Sequence, residues 1–127
     1  MIEKKKIRME FEVRGSAASL FPYISSPSGL AEWFCKDVNV RGEEFRFKWE
    51  GEERTAKVVK KTMNKNIKFH WIDSETEEYF ELELEKDDIT GDMALVVTDF
   101  AKPGEEKETE QLWESQIHDL MLSLGVS

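Results

Sequence analysis

The chain ends in a helix that has no second long helix to pack against. From Glu106 to Gly125, read at about 100° per residue, Trp113, Ile117, Leu120 and Leu124 fall on one stripe, with Leu112 and Met121 on its flanks. Gln116 lies near the edge of that stripe and is its only polar member, while Glu114, Ser115, His118 and Asp119 point the other way. Gly125 suits a left-handed C-terminal cap, and Glu105, Glu106 and Glu108 put negative charge at the helix start, where the dipole favours it. An apolar stripe of this width must be covered. The rest of the chain has to supply the cover.

Nearly everything upstream alternates with period 2. Ile7, Met9, Phe11 and Val13 interleave with Arg8, Glu10, Glu12 and Arg14, which predicts a strand with one wet face. After Gly15 the spacing changes. Ser16 is a good N-cap, and Leu20, Phe21 and Ile24 sit at helical intervals up to Ser25, with Pro22 expected to shorten or kink the helix. Ser26-Pro27-Ser28-Gly29 reads as a break, followed by a second short helix from Leu30 to Phe34.

From Asp37 onward strands and turns succeed one another. The strands are Val38–Val40, Phe45–Trp49, Arg54–Lys61, Ile67–Trp71, Phe80–Glu85 and Leu95–Asp99. They are separated by turns at Gly42, Gly51, Met63–Asn66 and Asp87–Asp92, and by an acidic loop from Asp73 to Glu78. The adjacent Val58 and Val59 blur which face of their strand is inside. The strand around Leu95 is apolar on both faces, which suits a central position. Hairpins force antiparallel neighbours, and a meander with one wet face needs a lid on the other. The reading is an α+β chain: a curved antiparallel sheet gripping the C-terminal helix, with two short helices after the first strand, in one domain over residues 1–127.

Composition narrows the function classes. With 39% hydrophobic and 11% aromatic residues there is ample material for a core, despite 35% charged residues. The formal charge of −9 argues against a nucleic-acid partner, whose affinity comes from Lys and Arg on phosphates. Lys4-Lys5-Lys6 is short, lies among Glu3, Glu10 and Glu12, and reads as a solvated strand start. Cys35 is alone, so neither an internal disulfide nor a thiolate zinc cage is expected. No apolar run approaches the roughly 18 to 20 residues that span a bilayer, and none resembles a signal peptide. A soluble, cytoplasmic protein is expected.

Two segments carry a family resemblance. Gly15-Ser16-Ala17-Ala18-Ser19-Leu20-Phe21 leading to Ser26-Pro27-Ser28-Gly29-Leu30-Ala31-Glu32-Trp33-Phe34 resembles the segment after the first strand in the branch named for the activator of Hsp90 ATPase. The helix bearing Trp113, Ile117, Leu120 and Leu124-Gly125 is similar to the last helix of that branch. The chain thus resembles the START-like superfamily, also called Bet v 1-like or SRPBCC, and within it the small START-like proteins of bacteria. The resemblance implies the helix-grip fold and a cavity between sheet and helix. Members bind lipids, sterols, polyketides or other apolar molecules there, and a minority catalyse cyclisation or hydrolysis.

The residues themselves carry little catalytic chemistry. His70 is out of phase with Phe69 and Trp71, and His118 lies on the wet side of the last helix. No Gly-x-Ser-x-Gly, phosphate loop or His-Glu-x-x-His occurs. No catalytic residue, metal or cofactor is therefore assigned. Glu81, Glu83 and Glu85 read as a solvated strand face. Asp99, Gln116 and Glu32 stand out as polar groups next to apolar ones, either orienting a ligand or simply ending a strand and bonding a backbone carbonyl.

The expected ligand wall is Phe45, Phe47, Trp49, Phe69, Trp71, Phe80 and Leu82, joined by Trp33 and Phe34, one of which must reach the core or line an opening. Asp99, Trp113, Gln116, Ile117 and Leu120 face that wall. The leading function is non-enzymatic binding of a hydrophobic or amphipathic small molecule. The alternatives are a co-chaperone-like module that binds another protein, and an enzyme of cyclase or hydrolase type.

Overall fold

The computed structural model describes residues 4–72 and 77–125. The chain runs β1 (Lys5–Val13), α1 (Ala17–Ser25), α2 (Pro27–Leu30), β2 (Asp37–Arg41), β3 (Glu44–Trp49), β4 (Glu52–Thr62), β5 (Asn66–Trp71), β6 (Tyr79–Lys86), β7 (Met93–Ala101) and α3 (Glu106–Ser123). Of the acidic loop expected over Asp73–Glu78, residues 73–76 lie outside the described residues. The strands form one sheet in the order β1-β7-β6-β5-β4-β3-β2, with every neighbouring pair antiparallel. Strands β2 to β7 are the hairpin meander that the turn spacing requires, and β1 closes onto β7.

Register brings the apolar members of alternate strands onto one face. Phe45 pairs with Ala56 and Ala56 with Trp71; Val58 pairs with Phe69 and Phe69 with Phe80. Ile67, Leu82, Val97 and Met9 form the next row. This face buries Phe47, Phe69, Phe80, Leu82 and Leu95 almost completely. The two valines of β4 are resolved by a β-bulge: the register shifts between Val58 and Lys60, so Val58 keeps the inner phase and Val59 is the extra residue, 53% exposed. The apolar outer face of β7 is also explained. Glu10 and Glu83 flank Val96, and Arg8 and Glu81 flank Thr98. The aliphatic stems of such long side chains shield both residues, which are buried on the wet side of the sheet.

The second short helix differs from the sequence expectation. It occupies Pro27–Leu30, the stretch read as a break, and residues 31–34 are its trailing turn. Ser26 explains why. Its hydroxyl accepts from the Gly29 N–H at 3.0 Å as an N-cap, and Pro27 follows at the first helical position, where its missing donor costs nothing. The same hydroxyl donates to the Pro22 carbonyl at 2.7 Å, so one serine ends α1 and starts α2. Upstream, Ser16 and Ser19 form a reciprocal capping box for α1. Pro22 sits inside α1, which nevertheless runs nine residues.

Helix α3 is capped as its sequence suggests. Gly125 has a left-handed φ of 76°, and its N–H bonds the Leu122 carbonyl at 3.0 Å. Among its described residues it buries Trp113, Ile117 and Leu120, with Met121 and Leu124 packed against the core and Leu112 mostly exposed.

The joint between α1 and α2 depends on close backbone approach. A Cβ on Gly29 would lie 2.1 Å from the Pro22 carbonyl oxygen, and a backbone atom cannot swing aside as a side chain can. Gly29→Ala is therefore expected to destabilise the fold by about 1–3 kcal/mol or more. Ser28→Ala, exposed on the same helix, should stay within about 0.5 kcal/mol. Urea denaturation of both variants checks this; equal midpoints would contradict the close-contact account.

Candidate functional site

The space between α3 and the sheet is built around Phe34, delivered by the turn after α2. The Phe34 and Trp33 N–H groups both bond the Leu30 carbonyl, which tightens the turn and drives the two aromatic side chains inward. The ring of Phe34 stacks on Trp113 at 5.6 Å and on Phe80 at 5.2 Å. It meets Phe47 and Trp49 edge-on at 5.2 and 5.5 Å. Phe80 in turn stacks on Phe69 at 4.9 Å, and Phe45 and Trp71 extend the network on either side of Phe47. Offset and edge-on pairs at these separations are the favoured geometries for aromatic rings.

Several polar groups of the site are committed to partners. The Phe34 carbonyl accepts from the indole N–H of Trp49 at 2.7 Å and from the Gln116 amide at 3.1 Å. The Trp113 indole N–H donates to Asp99 Oδ2 at 2.8 Å, and Asp99 Oδ1 accepts from the Phe100 backbone N–H at 2.7 Å. Trp33 donates its indole N–H to the Tyr23 carbonyl at 2.8 Å. Near the helix end, Ser123 Oγ donates to the Glu32 carbonyl at 3.1 Å, while the Glu32 side chain itself stands in solvent.

The sequence-derived wall residues thus meet in one place. Phe45, Phe47, Phe69, Trp71, Phe80 and Leu82 are buried in the sheet face, and Trp49 is half-buried at its end. Trp33, Phe34, Trp113, Ile117 and Leu120 are buried opposite them. Gln116 bonds a backbone carbonyl, and Asp99 holds the tryptophan of the helix. Sequence reading missed Arg54, whose guanidinium lies 3.9 Å from the centre of the Trp71 ring. It shares the phase of Ala56 and Val58, but a charged residue gives no apolar signal of facing inward.

Titratable groups beside this interior are shifted by burial. Asp99 is pushed above the ordinary carboxylate range chiefly by desolvation, against the pull of its Trp113 and Phe100 hydrogen bonds and of Lys4. Burial, with Asp37 nearby, pushes the Cys35 thiol up to about 12, so it is held as a thiol rather than a nucleophilic thiolate. His70 pairs across the sheet with Lys57 and Tyr79 on the wet face, and His118 is exposed. Among the described residues, no group of three or more His, Cys, Asp or Glu side chains is arranged to hold a metal ion, and no helix is long and apolar enough to cross a membrane.

This chain belongs to the START-like superfamily, whose domain model matches residues 1–126. A Bacteroides fragilis protein of known solution structure is 34% identical, with 98% of this chain and 93% of that one aligned and a TM-score of 0.68. The Aha1 dimer of Colwellia psychrerythraea superposes with a TM-score of 0.78 at 15% identity, covering 97% of this chain and 99% of that one. CalU16 from Micromonospora echinospora gives 0.70 at 14% identity, covering 94% and 74%. The last two likenesses show the shared fold alone. No curated protein sequence matches the chain.

Because the Asp99 carboxyl is raised in the folded state, its contribution to stability is full below the ordinary carboxylate value, about 3.9, and is lost as pH rises through the raised one. The stability of wild type minus that of Asp99→Asn, from urea denaturation at a series of pH values, should therefore fall as pH rises from about 4 toward neutrality. Titrations common to both proteins cancel in the difference. A signed difference that rises with pH would contradict the assignment.

Proposed function

We propose that the chain is a non-enzymatic binding module that holds a hydrophobic or amphipathic small molecule, lipid-like or aromatic, between the sheet and α3. One observation carries the reading: a continuous wall of rings faces the apolar stripe of a single long helix, which a few separable polar bonds also tie to the rest of the fold. The START-like fold is compatible with ligand binding at this position.

The rings themselves occupy the space a ligand would take, so binding requires Phe34 and Trp113 to swing aside with the helix. Releasing the Gln116, Ser123 and Trp113–Asp99 hydrogen bonds costs about 0.5–1.5 kcal/mol each, and each separated ring pair costs about 0.5–1.5 kcal/mol more. Each methylene moved out of water gains about 0.8 kcal/mol, so the guest must bring a long chain or several rings to offset them. Asp99 and Gln116, freed by the same movement, are the polar groups that orient the guest, and the aromatic wall supplies the contact area.

Catalysis is the weaker reading. Asp99 is the one group in the site with a raised carboxyl, and both its oxygens accept hydrogen bonds; the charged groups that act on it, Lys4 and Glu78, are paired with each other at 2.8 Å.

Intrinsic tryptophan fluorescence, titrated with fatty acids, sterols and aromatic metabolites, tests the proposal because Trp33, Trp49, Trp71 and Trp113 all border the site. A saturable change with at least one class is expected, and a flat response to every class would overturn it. Phe34→Ala should lose about 3–5 kcal/mol of stability through the cavity it opens. Part of that loss should be recovered when toluene or indole fills the space, read as a rise in Tm. A variant with no loss of stability would remove Phe34 from the centre of the site.

A further inference from the structure

Strand β2 ends the sheet: β3 flanks it on one side and, among the described residues, no strand flanks it on the other. The turn after it fixes which of its backbone groups face outward. Gly42 and Glu43 form a two-residue turn with a φ of 63° at Gly42, so Arg41 and Glu44 close it as a hydrogen-bonded pair. Pairs alternate along an antiparallel ladder. Arg41 and Asn39 therefore spend their N–H and C=O groups on β3, while Val38 and Val40 turn theirs to the free side. The Val38 N–H accordingly donates to Asp37 Oδ1, at 2.9 Å, rather than to a strand. Toward its end the edge is bare. Val40 is 41% exposed and lines two hollows, one of about 310 Å³ shared with Arg46 and one of about 440 Å³ shared with Pro27 and Phe45.

The side chains of this edge, Asp37-Val38-Asn39-Val40-Arg41, are complementary to themselves. In an antiparallel pair of copies with Asn39 on the two-fold axis, Asp37 of each copy lies opposite Arg41 of the other. The same register sets Val38 opposite the second copy's Val40, and these are the residues whose backbone groups are free. Neighbouring registers fail. Centring on Val38 puts Asp37 opposite Asn39, and centring on Val40 puts Asp37 opposite Glu43, a like-charge contact. Both charges are available, since among the described residues neither Asp37 nor Arg41 takes part in an ion pair. At the other edge of the sheet, Arg8 of β1 is already bound to Glu10 at 2.7 Å and to Glu85 at 3.4 Å, so its charge is met within one copy.

We infer that β2 is a homodimer edge, through which two copies pair antiparallel and their sheets become one. Asp37 has a part in both states. In the single copy its carboxylate covers the Val38 N–H and protects the edge; in the pair it turns to the second copy's Arg41 and releases that N–H to the incoming strand. The inference goes beyond small-molecule binding beneath α3, because no residue of β2 belongs to the ring wall. Five residues from each copy fall well short of the roughly 20–30 a side of a stable complex, so the pair is weak and exchanges rapidly.

Sedimentation equilibrium of the full chain, up to about 1 mM protein in about 0.15 M salt to screen the repulsion between acidic copies, reads the association. Wild type should show monomer–dimer exchange, and the amide NMR signals of Val38 and Val40 should move with concentration. Asp37→Arg and Arg41→Asp each place like charges opposite one another at both ends of the pair and should weaken self-association about ten-fold. An equimolar mixture of the two variants restores opposite charges at both ends. It should associate about as strongly as wild type, which also shows that both variants are folded. A wild type that stays monomeric throughout, concentration shifts confined to residues outside β2, or a mixture no stronger than its components would overturn the assignment.

Discussion

Phe34 is the residue at which sheet, helix and the α2 turn become one body. Its ring is sunk among Phe47, Trp49, Phe80 and Trp113, and its carbonyl takes one donor from β3 and one from α3. A carbonyl has two lone pairs, so Trp49 and Gln116 together saturate it. The side chain alone would give a greasy, non-directional contact, and the backbone bond alone would be weak. Joined in one residue, they fix both where α3 lies and how far it stands from the sheet.

Where charge is allowed follows from the same arrangement. Asp99 and Cys35 border the interior, and burial pushes both toward their protonated forms. An interior with that bias disfavours charge.

The fold was largely legible in the sequence because its signals were periodic. Alternation placed β1, β3, β5 and β6 on the right face, and the 3.6-residue stripe placed Trp113, Ile117 and Leu120 against them. The aromatic wall could be listed for the same reason. Other features were not periodic. The start of α2 depended on one serine hydroxyl serving two helices, which reads locally as a turn. The bulge at Val59 shifts the phase by one residue, which is why Val58 and Val59 blurred the inner face of β4. Nor does periodicity show how tightly a face is filled: Trp33-Phe34 reads as an apolar load for the core or for an opening, and the carbonyl partners that fix Phe34 lie in β3 and α3, far along the chain.

The register of β1 with β7 has a kinetic side. Lys5–Val13 pairs with Met93–Ala101, so the first strand made is joined by the last. Between them, β2 to β7 zip as successive hairpins, each closing a short loop at small entropic cost. The β1–β7 ladder must close nearly the whole chain, and long-range pairings of that kind slow folding. During synthesis β1 therefore waits as an open strand edge until β7 has emerged. Its alternating Arg8, Glu10, Glu12 and Arg14 keep that waiting edge wet and discourage it from pairing with another chain.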